Sequence, residues 1–364
     1  MKTTYCNPLD LGYRYQHMRE GPRVAGFREG ADPTLVYFKG KYYLFVSMSA
    51  GFWYSEDLLN WDFHADPDLL IYDYAPDVRQ VGNYLYFCAS RKGRNCPILR
   101  TADPLTEPFT EVSAPFAFWD PDLFCDDDGR VYFYWGCSNI SPIYGVELNP
   151  DTMTPIGEKQ ELIFGNETVL GYERPGNNGI VDREASVLYQ SMKQFYDPKI
   201  GKLNLPPQMA NIPGLSVESL TAMFNAIGKP YIEGAFMTKH DGLYYLQYAC
   251  PGTQYNTYAD GVYTSVLRWA PLCGRHPIRS PQSPVASLPV QATAVPLPTP
   301  TATGGTLPPC AFPSTMTLSA GWGCFLPGST RTACFTATRT LPITPTASRQ
   351  TALMPPDSSR NGCC

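Results

Sequence analysis

Four times in this chain an acidic residue is followed by a glycine turn and then by a run of aromatic and aliphatic residues. Asp32-Pro33 precedes Gly40 and Tyr42-Tyr43-Leu44-Phe45, and Pro76-Asp77 precedes Gly82 and Tyr84-Leu85-Tyr86-Phe87. Asp120-Pro121 precedes Gly129 and Val131-Tyr132-Phe133-Tyr134, and Glu233-Gly234 precedes Gly242 and Tyr244-Tyr245-Leu246. Strand-favouring runs entered through a Gly turn read as β-hairpins. The first three turn glycines lie about 42 and 47 residues apart, the length of a four-stranded propeller blade. Helical repeats of that length would need a 3.6-residue apolar period, which these segments lack. The pattern predicts an all-β chain folded as a β-propeller.

The gap from Gly129 to Gly242 is too long for one blade, and the stretch of about 165–228 reads as an insertion. It holds a polar, Gly- and Asn-rich segment, Gly171 to Arg183, and then Val217 to Ile227, whose period predicts an amphipathic helix.

Composition divides the chain at Val266. Residues 1–265 are rich in Tyr, Asp and Lys, whereas 266–364 contain no tyrosine, no lysine and one acid, Asp357. A Pro/Thr/Ser-rich linker has such a composition. A slipped reading frame accounts for more. The first two bases of each visible codon fix the last two of the hidden one, and Pro284 to Leu297 then permits GGFITGAGHGSTF. Val266 to Cys273 permits PPLGPFV, and Pro298 to Pro313 permits a string resembling DPYGNWWHVATMRIS, with the Gly-turn-aromatic pattern of the earlier repeats. Residues 266–364 are therefore expected to be a frameshifted, irregular tail, and 1–265 the propeller.

With a net charge of −5 and scattered arginines, the chain has no basic footprint for nucleic acid. No membrane span or signal peptide is read at Met1 to Asp10, and a cytoplasmic location is expected. The 12 cysteines are scattered singly rather than in zinc-ribbon pairs, and Cys6, Cys88, Cys96, Cys125, Cys137 and Cys250 read as reduced thiols in packing roles.

The first strand of each propeller blade lines the central channel, so acids at equivalent blade starts converge at one mouth. Clustered carboxylates raise at least one pKa, which lets one acid stay protonated while another is ionised. Asp-Pro and Asp-Gly are also ordinary turn formers, but four in register favour a site. Asp126-Asp127-Asp128-Gly129 lacks the alternating ligand spacing of a calcium loop and reads as a hairpin turn. Structural calcium is not supported, no cofactor is required, and no metal ligands are assigned. His17, His64 and His240 share no motif and read as surface or packed residues. Phe52, Trp53, Trp119 and Tyr172 are candidates to stack on a sugar ring, and Glu173-Arg174 beside Asn177 and Asn178 reads as a sugar-binding loop or a surface turn.

The segments GADPTLVYFKGKYYLF, SEDLLNW (Ser55 to Trp61), YAPD (Tyr74 to Asp77), WDPDLFCDDDGRVYFYWG and IEGAFMTKHDGLYYLQYA resemble the successive motifs of glycoside hydrolase family 43, over roughly Asn7 to Ser265. The resemblance implies a five-bladed propeller, here with its last blade missing or disrupted, that hydrolyses β-D-xylosides or α-L-arabinofuranosides of plant cell-wall oligosaccharides with inversion. It implies Asp32 as general base, Glu233 as general acid, and Asp120 as the carboxylate that orients the acid and holds its pKa up. Asp77, Trp119, Phe52 and Trp53 are the expected substrate contacts. Ala235 stands where the family often has proline, and Tyr74 where it has tryptophan. The histidine of a late GHG motif survives only in the hidden frame, its place here being Ala292-Thr293. The alternative is a non-catalytic or inactive truncated carbohydrate-binding propeller. A fructan-cleaving enzyme is disfavoured by the absence of an Asn-Asp-Pro-Asn start. Preference between xylose and arabinose, exo or endo action and oligomeric state are not legible.

Overall fold

The computed structural model describes residues 11, 16–20, 23–27, 32–66, 69, 75–91, 94–166, 173–175, 183–206, 216–252, 255, 258–268, 273–274, 316–321 and 334–339. A hairpin of β1 (Gln16–Glu20) and β2 (Arg23–Phe27) comes first. Four antiparallel sheets then form a propeller-like array of four blades, each a meander of four strands. Blade 1 comprises β3 (Thr34–Phe38), β4 (Lys41–Phe45), β5 (Gly51–Ser55) and β6 (Asp62–Ala65). Blade 2 comprises β7 (Asp77–Val81), β8 (Tyr84–Cys88), β9 (Ile98–Thr101) and β10 (Thr110–Ser113). Blade 3 comprises β11 (Asp122–Cys125), β12 (Val131–Trp135), β13 (Ile143–Leu148) and β14 (Pro155–Ile163).

Between blades 3 and 4 lie α1 (Val187–Met192), the short pair β15 (Tyr196–Asp197) and β16 (Lys202–Leu203), and α2 (Val217–Ala226). Helix α2 occupies the stretch whose period predicted it, and Ser216 caps it by accepting from Ser219 N. Its buried Leu220 and Phe224 pack on Met192 and Leu203, and Tyr189 stacks on Phe224 at 5.0 Å, so this stretch carries a small core of its own. Blade 4 comprises β17 (Glu233–His240), β18 (Leu243–Cys250), β19 (Ala259–Ser265) and β20 (Cys273–Gly274). Of the expected irregular tail, β20 and a hairpin of β21 (Met316–Gly321) and β22 (Cys334–Arg339) are described; the rest of that expectation lies outside the described residues. Among the described residues, no helix is long and apolar enough to cross a membrane.

The aromatic runs form the faces by which blades pack. Phe45 and Phe52 of blade 1 meet Phe87 and Phe109 around blade 2, with the Phe45 and Phe87 rings 5.7 Å apart. Tyr86 and Cys88 pack with Leu123, Val131 and Phe133 across blades 2 and 3, and Phe124 and Tyr132 pack with Ala235, Met237 and Leu246 across blades 3 and 4. Alternation along a strand thus gives both sheet faces to neighbouring blades, which is why these runs are apolar on every residue.

A polar contact also links each blade to the next. Thr34 donates its hydroxyl to the Pro76 carbonyl at 2.6 Å, Asp77 accepts from Leu123 N at 2.7 Å, and Asp122 accepts from Met237 N at 2.7 Å. The residues concerned occupy the same position at the start of three successive inner strands. Arg79 ties the last two together, with its Nη2 2.8 Å from Asp122 Oδ1, its Nε 3.8 Å from Asp77 Oδ2, and its guanidinium 4.8 Å from the Phe236 ring centroid.

Two sequence motifs are explained by turns. In SEDLLNW, Ser55 Oγ accepts from Leu58 N, while Asp57 Oδ1 accepts from Leu59 N and Asn60 N at 2.8 Å, so the motif wraps its own corner between β5 and β6. The acids of the Asp126-Asp127-Asp128 turn are engaged by cations. Lys239 Nζ lies 2.7 Å from Asp126 and 2.9 Å from Asp127, and Arg268 reaches Asp126 and Asp128 at 3.0 Å.

Candidate active site

A left-handed residue marks the start of each inner strand, with φ of 50° at Asp32, 54° at Ala75 and 49° at Asp120, each two residues before its strand, and 67° at Gly234, the second residue of β17. Asp and Gly tolerate this conformation better than Ala does, and in three blades it carries a carboxylate to the channel end, from Asp32, Asp120 and, one residue before Gly234, Glu233. In blade 2 the equivalent place belongs to Ala75.

Asp77 therefore does not join the cluster. The order Pro-Asp, where the other blades have Asp-Pro, moves its carboxylate two residues along, to the position of Thr34 and Asp122. There it is fully buried and hydrogen-bonded to Leu123 N, a blade-to-blade contact rather than a substrate contact. Phe52 and Trp53 are likewise corrected: both are buried, Phe52 among Phe45, Phe87 and Phe109, and Trp53 against Phe63 at 4.8 Å. Trp119 is 37% exposed beside Asp120, its backbone held by Gly136 N donating to its carbonyl at 3.0 Å. Tyr172, Asn177 and Asn178 lie outside the described residues. Glu173 is buried, not a surface turn: Tyr248 donates to its Oε1 and Asn166 N to its Oε2, tying this segment to blade 4.

Asp32, Asp120 and Glu233 come together. Ser47 donates to Asp32 Oδ2 at 3.0 Å and accepts from Ala75 N at 3.0 Å, fixing the Asp32 carboxylate between blades 1 and 2. Asp120, 8% exposed, accepts from Gly234 N at 3.1 Å, while its own N–H donates to Ser90 Oγ at 3.0 Å. Glu233 is held at Oε1 by the Tyr258 hydroxyl at 2.9 Å and lies 3.6 Å from Cys137 Sγ through Oε2. Burial pushes Asp120 well above the usual carboxylate range, with the charges of Glu233 and Asp32 adding to it. Glu233 is raised as well, by burial first and by Asp32, against the pull of Tyr258 and Cys137. These are the conditions under which a carboxylic acid keeps its proton near neutrality.

Sequence reasoning missed Cys137, Tyr231 and Tyr258. The Cys137 thiol sits between Tyr231 and Glu233 rather than in simple packing, and burial with the charges of Asp120 and Glu233 holds it protonated. A signal for it existed: the second strands of blades 1 to 3 run out into Ser47, Ser90 and Cys137, each a small hydrogen-bonding side chain. Tyr258 had none, since it reaches Glu233 only once β18 and β19 have paired. The Asp120, Cys137 and Glu233 donor atoms lie within 4.8 Å of one another, but a thiol is foreign to the all-oxygen shell that calcium takes.

The model of glycosyl hydrolases family 43 matches residues 22–196, which include Asp32 and Asp120. The chain belongs to glycosyl hydrolase family 43. As a family 43 chain it is a glycosidase. Among solved structures, a thermostable family-43 glycoside hydrolase is similar at 18% identity over 92% of each chain, with a TM-score of 0.55. An endo-arabinase from Bacteroides thetaiotaomicron VPI-5482 is similar at 16% identity over 85% of this chain and 93% of its own, with a TM-score of 0.50. At these identities the likeness is one of fold. No curated protein matches the family 43 chain.

Proposed function

We propose that this chain is an inverting glycoside hydrolase acting on β-D-xylosidic or α-L-arabinofuranosidic bonds of plant cell-wall oligosaccharides. The observation that carries the reading is the convergence of Asp32, Asp120 and Glu233, with Asp120 raised by burial and by the charges of Glu233 and Asp32, and Glu233 raised by burial and by the charge of Asp32. Asp32, partly exposed and oriented by Ser47, is the general base that deprotonates water. Glu233 is the general acid that protonates the leaving oxygen, and Asp120 keeps that proton in place and holds the turn at Gly234. Inversion needs room for a water between base and acid, about 6.5–9.5 Å between their carboxyl groups. Trp119, half-exposed beside Asp120, is the candidate platform for a sugar ring. The ring is completed by a fifth blade whose residues follow Ser265 in the hidden frame, with 1–265 forming the rest of the catalytic domain.

The roles are separable by leaving group. Asp32→Asn loses water activation and should abolish turnover on good and poor leaving groups alike, whereas Glu233→Gln should spare activated aryl glycosides, whose leaving groups need little protonation. Equal losses for both variants on an activated aryl xyloside or arabinofuranoside would contradict the assignment.

A further inference from the structure

A general acid works only if its proton sits on the oxygen that faces the leaving group. In a neutral carboxylic acid one oxygen accepts hydrogen bonds and the other carries the proton. Here the two oxygens of Glu233 have different partners. Tyr258, just before β19 and only 7% exposed, donates to Oε1 at 2.9 Å, so that oxygen is engaged as an acceptor. Cys137, just after β12, places its sulfur 3.6 Å from Oε2, and the same thiol is in contact with the Tyr231 hydroxyl.

We propose that Tyr258 and Cys137 are positioning residues for Glu233: the phenol pins Oε1 as the acceptor, which leaves the proton to Oε2, and the thiol steadies Oε2 without claiming that proton. The proposal rests on the reading of Glu233 as the general acid. The choice of sulfur has a physical rationale. A thiol is a weak donor and a weak acceptor, so it can fill the space beside Oε2 while stabilising the carboxylate less than a hydroxyl would. The groups that face Glu233 are Asp32, whose charge favours its protonated form, Asp120, and Tyr258, Cys137 and Tyr231 around its two oxygens. Tyr258 and Cys137 both pull its pKa down against burial, so they also set where the acid loses its proton.

Two variants of the full chain move that point in opposite directions. Tyr258→Phe removes a donor to the charged form, so the alkaline limb of kcat/KM on a poor-leaving-group xyloside or arabinofuranoside should move up by roughly one pH unit. Cys137→Ser puts a stronger donor beside Oε2 and should move the limb down. The same shifts should appear in a carbon-13 titration of glutamate carboxyls, with the Glu233 resonance identified by its loss in Glu233→Gln. That readout needs no turnover. A Glu233 midpoint unmoved by Tyr258→Phe, or moved in the same direction by both variants, overturns the proposal. Full activity of Glu233→Gln on the poor-leaving-group substrate would instead overturn the acid assignment, with the titration still judging the contacts.

Discussion

Removing Arg79 isolates what a buried counter-charge is worth in this fold. Asp77 and Asp122 are fully buried, and the guanidinium is their shared cation. Burial pushes Asp122 up to about 7 and raises Asp77, with Arg79 pulling both back. Arg79→Met would delete the 2.8 Å charge-assisted hydrogen bond to Asp122, about 1.5–3 kcal/mol, and the stacking on Phe236, about 0.5–2 kcal/mol. It would also leave two carboxylates without a cation. Breaking a buried pair in this way costs about 3–5 kcal/mol.

The pH dependence has a definite sign. An acid whose folded pKa is raised holds a proton that the unfolded chain releases, so its cost grows with pH from about 3.9 up to the folded value, by about 1.4 kcal/mol per pH unit, and is level above it. For Asp122 that interval ends near 7 with Arg79 present. Without Arg79 the folded values rise further and the cost continues to grow above 7. Urea unfolding followed by tryptophan fluorescence should therefore show a deficit of about 3–5 kcal/mol for Arg79→Met at pH 8 and a clearly smaller one at pH 5. Adding Asp77→Asn and Asp122→Asn should recover most of it. A deficit below about 0.5 kcal/mol at pH 8, or one equal at both pH values, would refute the reasoning.

Other perturbations follow from single contacts. Asp57, lowered to about 2 by accepting from Asn60 and Leu59 amides, is exposed; Asp57→Ala should cost about 1 kcal/mol after solvent screening. That contribution is present above the unfolded pKa near 3.9 and should fade in melts as pH falls toward 2. Gly51→Ala would set a Cβ 2.2 Å from the His64 carbonyl oxygen, and calorimetry should show a loss of about 3 kcal/mol. Restoring the frame after Ser265 should give a soluble, monomeric protein more active on aryl xyloside or arabinofuranoside than the chain as written. Equal activity and equal folding cooperativity in the two would count against the frameshift.

The hairpin runs were legible because a strand buried on both faces is apolar throughout, and the turn glycines mark where each run begins. Helix α2 was legible from its period. The substrate role given to Asp77 failed because counting an acid at each blade start ignored register: Pro76-Asp77 inverts the order of Asp32-Pro33 and Asp120-Pro121, and a two-residue displacement exchanges a channel position for a blade interface. Phe52 and Trp53 were misjudged because an aromatic residue in a propeller reads alike whether it faces a sugar or a neighbouring blade. The partners of Glu233 were harder to read: Cys137 follows β12 and Tyr258 precedes β19, both meet Glu233 only through tertiary pairing, and the one mark of Cys137 is its place in line with Ser47 and Ser90.

The contacts of Thr34, Asp77 and Asp122 all point the same way around the array, each reaching from an earlier blade to the one that follows it. In a chain synthesised from its N-terminus, each can close as soon as the next inner strand has emerged, with no later segment needed. The corresponding position in blade 4 is Phe236, whose ring lies against Arg79 and has no polar group to hand on. Assembly by this device is sequential and ends at blade 4, so the order of the blades in the array is the order in which their inner strands leave the ribosome.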